Sequence, residues 1–238
     1  VSYFGWLFDP ANWTGSGGIP TRLVEHLGYV ALAMIIALVI ALPLGAWVGH
    51  TGRGGFLVVG SANALRALPT LGVLILLVTP FGLSIVGPLI ALVVLAIPPL
   101  LAGTYAGVRN VDPAVVDAAR GMGMRGPEVL WRVELPNALP LIIGGVRSAV
   151  LQVVSTATIA AYVGLGGLGR FIFDGLAQRD FPQMIGGSLL VALLAIIVDL
   201  LLAALQKFIV SPGLQVVPSG PRRLRTVPTA RPAAARAA

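Results

Sequence analysis

The sequence predicts an all-α integral membrane protein of about five transmembrane helices, its N-terminus outside and its C-terminus in the cytoplasm. Three observations carry this prediction. Hydrophobic residues make up 57% of the 238 and charged residues only 11%, with a mean hydropathy of +0.93. Soluble domains carry roughly 25% charged residues, so this chain has too few to cover a water-facing surface. Uncharged runs long enough to cross a bilayer recur along the chain, and about 20 helical residues suffice for one crossing. Finally, Arg and Lys cluster in alternate loops, which orients the spans.

Residues 1–26 read as an extracytoplasmic interfacial segment. Tyr3, Phe4, Trp6, Phe8 and Trp13 fall within its first half, and aromatic rings favour the headgroup level. Nothing basic precedes Arg22, so no secretory signal peptide is expected. The first span is Leu27 to Val48, followed by the polar turn His50–Gly55. A second span from about Phe56 to Thr79 contains Asn63, Arg66 and Pro69, and a third occupies roughly Gly87 to Val108. From Ala67 to Val108 no charge occurs, a length that fits a hairpin of two spans rather than one helix.

Between residues 109 and 136 lies a charged loop. Asp112-Pro113 is a helix-start signal, a side-chain acceptor followed by a ring with the right φ. A helix of about two turns carries Val115, Val116, Ala118 and Ala119, and Gly121 and Gly123 are expected to stop it. Gly126-Pro127 starts a second helix, with Glu128 and Arg132 in favourable i,i+4 order, and Pro136 is expected to end it. Connections this long in compact proteins are commonly functional or disordered, and the caps argue against disorder. A paired-alanine patch, where another backbone can come close, points to docking.

The fourth span is about Leu139 to Val163 with Arg147 inside it, and the fifth is Met184 to Gln206 with Asp199 near its end. A glycine-rich loop, residues 164–182, joins them. Residues 208–238, rich in Arg, Pro and Ala, are expected to be a disordered cytoplasmic tail held near anionic lipid rather than nucleic acid. The 49–55 turn, the 109–136 loop and the C-terminal segment together hold eleven Arg and Lys; the opposite loops hold Arg22, Arg170 and Arg179.

Enzyme chemistry finds little support. The chain has no cysteine and two distant histidines, so no metal or other cofactor is expected. "GLGGLG" at 164–169 fits the G-x-G-x-x-G spacing, but that motif binds dinucleotides only between a strand and a helix, a context missing here. The single lysine, Lys207, is followed by Phe208, so no G-x-x-x-x-G-K-[ST] phosphate loop exists. Three charges lie inside spans. Arg147 and Asp199 lie at similar depths, so they either pair structurally or contact substrate. Arg66 either lines a passage or snorkels.

The spacing of Asp117-Ala118-Ala119, Gly123, Val133 and Leu135-Pro136 resembles the "EAA" loop of ABC-importer permeases of the binding-protein-dependent transport family. In this chain Asp stands for Glu, and Val for Ile. The stretches "ALRALPTLGVLILL", "GTYAGVRNVDPAVVDAARGMGM", "ELPNALPLIIGGVRSAV" and "ATIAAYVGLGGLGRFIFDGL" look like its osmoprotectant branch, over about residues 27–207. That resemblance implies a non-catalytic permease subunit moving glycine betaine, choline, carnitine or proline by alternating access. Its implied partners are a cytoplasmic ATPase dimer, an extracytoplasmic substrate-binding protein and a second permease copy or paralogue. Asp117, Ala118, Ala119, Gly123, Val133, Leu135 and Pro136 would then couple to the ATPase. Gly166 and Gly167 would sit on the outer side, lining the vestibule. Alternatives are a permease for methionine or sulfonates, or an ion-coupled carrier, though the latter wants midplane acids and Asp199 is the sole candidate.

Overall fold

A computed structural model describes residues 5–82 and 84–210, the side chain of Arg66 excepted. Tyr3 and Phe4 of the aromatic segment and residues 211–238 of the expected tail lie outside the described residues. In chain order the helices are α1 (Gly5–Phe8), α2 (Ile19–Thr51), α3 (Gly55–Ala67), α4 (Thr70–Val78), α5 (Val86–Arg109), α6 (Pro113–Gly121), α7 (Gly126–Val129), α8 (Leu135–Ala160), α9 (Gly169–Gln178) and α10 (Phe181–Ile209). No strand occurs among the described residues.

Four helical stretches are long and apolar enough to cross a membrane: α2, α5, Gly126–Val163 and α10. The expected second span instead forms a bent pair, Gly55–Leu65 and Thr70–Phe81, whose axes meet at 95°. Pro69 explains the break. A proline forces its predecessor out of the helical region, and Leu68 accordingly sits at ψ 136°. Counted as one broken span, the pair brings the total to five.

Helix α5 is the centre of the molecule and packs against α2, α3, α4 and α8. Lipid tails are as apolar as Leu, so helices in a bilayer are held chiefly by close packing. Small residues at four-residue spacing supply it here. Gly45 and Gly49 of α2 face α5, where an added Cβ would lie 2.7 Å from Cβ of Thr104 and of Val108 respectively. On the other side of α5, a Cβ on Gly103 would lie 2.7 Å from Cα of Gly145, so α5 and α8 touch backbone to backbone. Leu74, Leu92, Leu100, Val153 and Val154 are completely or almost completely buried around these contacts.

Two boundaries differ from the sequence expectation. Helix α2 begins at Ile19 rather than near Leu27, so Arg22, Glu25 and His26 are helical and belong to its first turns. Pro136 does not end the second loop helix: α7 runs through a π-turn, Leu130–Glu134, directly into α8. The Leu135 N–H reaches back five residues to the Leu130 carbonyl. This wider turn keeps the chain helical where Pro136 lacks an N–H and its ring would crowd an α-helical carbonyl.

Candidate functional site

The charged loop folds into a helical hairpin whose turn is legible atom by atom. Asp112 caps α6, its Oδ1 accepting from the Ala114 N–H at 2.9 Å. At the other end, the Gly123 N–H donates to Arg120 O at 2.9 Å and the Met124 N–H to Ala119 O at 3.2 Å. This is a Schellman ending, which requires a left-handed residue between helix and exit. Gly123 supplies it at φ +90°. Gly121, expected to share the stop, is simply the last helical residue.

The hairpin divides its signature residues between two faces. Ala119 is 2% exposed and packs inward, whereas Asp117 and Ala118 face out. The paired-alanine patch is therefore not one surface: Ala119 allows α6 to sit close on its own hairpin, and Ala118 is offered outward. Beside Ala118 on the same face of α6 lie Val115, 44% exposed, and Met122, 73% exposed; Trp131 adds a third large apolar group at 70%. Sequence reasoning named Val115 and read Trp131, with Leu130 and Val133, as apolar surface of the second helix; it missed Met122, although the 115/118/122 helical spacing was readable. Glu128 does not pair with Arg132; its Oε2 accepts from the Arg125 N–H at 3.0 Å and closes the start of α7. Val133 and Leu135 are half-buried and Pro136 is exposed along the π-turn and the start of α8.

Within the spans, Arg147 of α8 and Asp199 of α10 form a bidentate ion pair, Nε to Oδ1 and Nη2 to Oδ2, the latter 2.6 Å. The planar guanidinium fork matches a carboxylate in this way, and the pair neutralises two charges that would be costly in hydrocarbon. Arg147 also lines a cavity of about 710 Å³ between the ends of α5, α8 and α10, together with Asn110, Asn137, Gln206 and Lys207. A smaller cavity of about 340 Å³ opens at the α3–α4 bend, walled by Leu68, Thr70, Pro98, Pro99, Ser148 and Gln152. Arg66 lies in α3 near this bend, and its side chain is outside what the structure describes.

At the opposite end of the bundle the glycine loop clamps the start of α2. The Gly167 N–H donates to Glu25 Oε2 at 2.9 Å, and the same oxygen accepts from Arg22 Nη1 at 2.9 Å. A Cβ on Gly166 would sit 2.5 Å from that carboxylate oxygen, and one on Gly167, at φ +86°, would sit 3.0 Å from His26 Nδ1. His26 is fully buried, with Nε2 3.2 Å from Val154 O. The two glycines thus give a tight backbone path, directed onto α2. Nearby, Trp6 fits against Gly186 and stacks edge-on with Phe171 at 5.0 Å, which anchors α1 to α9 and α10.

A polytopic helical bundle with a capped, apolar-faced hairpin at one end and no strand among its described residues has the architecture of a transport permease. The chain belongs to the family described as "Binding-protein-dependent transport system inner membrane component", whose model matches residues 37–211. It is 33% identical over 202 residues to the glycine betaine/carnitine/choline transport system permease protein OpuCB of Bacillus subtilis, covering 85% of this chain and 93% of that one. To the osmoprotectant import permease protein OsmW of Salmonella typhimurium it is 32% identical over 205 residues, covering 84% and 95% respectively. Among solved structures, an inward-facing form of the MetNI methionine ABC transporter matches with a TM-score of 0.73 at 21% identity, over 85% of this chain and 99% of that one. The chain is therefore a multi-pass inner-membrane permease component.

Proposed function

We propose that this chain imports osmoprotectants such as glycine betaine, choline, carnitine or proline as the membrane subunit of an ATP-driven transporter. The energy comes from a separate ATPase dimer, the cargo from an extracytoplasmic binding protein, and a second permease copy or paralogue completes the pathway. The observation that carries this is the hairpin 112–134, on which Val115, Ala118, Met122 and Trp131 are exposed, uncovered by any of the described residues. Apolar groups in water at a membrane surface mark a docking site, and Asp117 beside them adds a polar contact.

The cargo class follows from the relatives at 32–33% identity, whose names specify betaines, choline, carnitine and osmoprotectants. The methionine transporter resembles this chain at the level of fold only, at 21% identity. Within the spans, the cavity at the α3–α4 bend is the candidate passage. Its described lining carries hydroxyl and amide groups but no charge, suited to letting a dipolar solute pass without trapping it. Arg147 and Asp199 satisfy each other and serve chiefly to join α8 to α10. The Gly166–Gly167 turn fixes the outer end of α2.

Reconstitution with candidate ATPase and binding proteins tests the assignment. Loaded binding protein should stimulate ATP hydrolysis and drive uptake of at least one betaine-type solute. Uptake of methionine alone would move the assignment to the other cargo, and uptake driven by a proton or sodium gradient without ATPase would refute it.

A further inference from the structure

The hairpin is joined to the bundle covalently through α5 and α8, but it also touches the end of α2 through the π-turn. One polar contact holds that junction. His50 Nδ1, in the last turn of α2, lies 2.6 Å from Oε2 of Glu134, the last residue of the π-turn. Glu134 is only 5% exposed. A buried carboxylate is costly unless partnered, and His50 Nδ1 supplies a partner. The start of α7 also lies near the ring: a Cβ added to Gly126 would be 3.5 Å from His50 Nε2. His50 is thus held between the two ends of the second hairpin helix. Glu134 occupies the unspecified position between Val133 and Leu135 of the loop signature.

We propose that the His50–Glu134 pair is the positioning contact by which movement of the hairpin is transmitted to α2. This rests on the reading of the hairpin as the ATPase dock. Helix α2 packs along α5 through Gly45 and Gly49, whose bare backbone comes so close to Thr104 and Val108 that sliding either helix would bring larger neighbours into collision. Rotation of the π-turn would draw the end of α2 with it, and α2 would carry the displacement to the Glu25–Gly167 clamp at the far end. Without the pair, the hairpin would still dock and α8 would still move, but α2 would no longer follow.

The test uses the complete transporter in proteoliposomes, with His50→Ala, Glu134→Ala, the double variant, and the gentler His50→Gln and Glu134→Gln. Uptake per ATP hydrolysed is the quantity read, alongside total ATPase activity and co-purification of the ATPase. The alanine variants should keep assembly and hydrolysis within about twofold while uptake per ATP falls about tenfold. The double variant should be no worse than either single change, because both remove one interaction. His50→Gln, whose amide still donates to Glu134, should retain most of the coupling. Should an alanine variant not assemble, the Gln pair carries the comparison, and Glu134→Gln must then lower uptake per ATP more than His50→Gln. An unchanged ratio in every variant that assembles, or losses that simply add, would overturn the proposal. Failure of the underlying dock shows separately, as an unsubstituted chain that does not bind its ATPase at all.

Discussion

Gly123 illustrates how a residue can matter through its backbone alone. No atom lies within 4 Å of where its Cβ would be, yet its φ is +90°. A side chain there meets no neighbour, so the penalty is wholly one of backbone conformation. Left-handed geometry costs an L-residue about 1–2 kcal/mol, and Asn bears it better than a β-branched residue. Gly123→Val should therefore loosen the hairpin, seen as faster proteolytic cleavage at 121–125 in membranes, whereas Gly123→Asn should stay near the parent. Arg147 and Asp199 make the opposite case, residues defined by their partner. Arg147→Ala should lower the amount of protein reaching the membrane by leaving Asp199 unpaired, and adding Asp199→Ala should restore much of it. Quantitative immunoblotting of membranes measures both. That pairing was foreseeable from depth arithmetic along two helices. The His50–Glu134 and Glu25–Gly167 contacts were not, because nothing local links residues 84 and 142 positions apart.

Elements were legible where a physical rule acts alone. Apolar runs marked the spans, and Asp112-Pro113 marked the start of α6, because solvation and capping need no tertiary partner. Rules in competition misled. Pro136 signals a stop, yet the π-turn before it carries the helix on from Gly126 to Val163, and no residue pattern announces such a turn. Pro69 was read inside a single span, and neither the break there nor its 95° angle was foreseen; the angle depends on how α3 and α4 lie against α5. Ala118 and Ala119 looked equivalent until the helix face was known. The docking face is testable as an element: Met122→Glu or Trp131→Glu should cut co-purification of the ATPase at least about tenfold while leaving the amount of permease in the membrane unchanged. Loss of binding only with Ala119 substitutions would place the dock elsewhere. The α5–α8 seam offers a second test. Gly103→Leu forces the helices apart, because its Cβ alone would lie 2.7 Å from Cα of Gly145, and the protein should lose its monodisperse gel-filtration peak in detergent.

At the scale of the whole molecule, the proposed orientation puts the hairpin in the cytoplasm and the glycine loop outside. The chain has no native cysteine, so single cysteines report without background. Arg125→Cys should react with an impermeant maleimide only in inverted vesicles, and Gln178→Cys only in intact cells; the reverse pattern would invert the topology. The bent pair α3–α4 bears on the rest. With 13 and 9 residues, the two pieces are roughly 20 and 14 Å long, each short of the roughly 30 Å hydrocarbon layer. Their junction leaves Leu68 and Pro69 exposed on the chain's own surface, and within hydrocarbon such non-helical backbone survives only against protein or a wet channel. On the proposed pairing with a second permease copy, a solitary chain is an unfinished object in lipid, and its lifetime should be set by stoichiometry: made in excess of that partner, it should become a target for the quality-control proteases of the membrane.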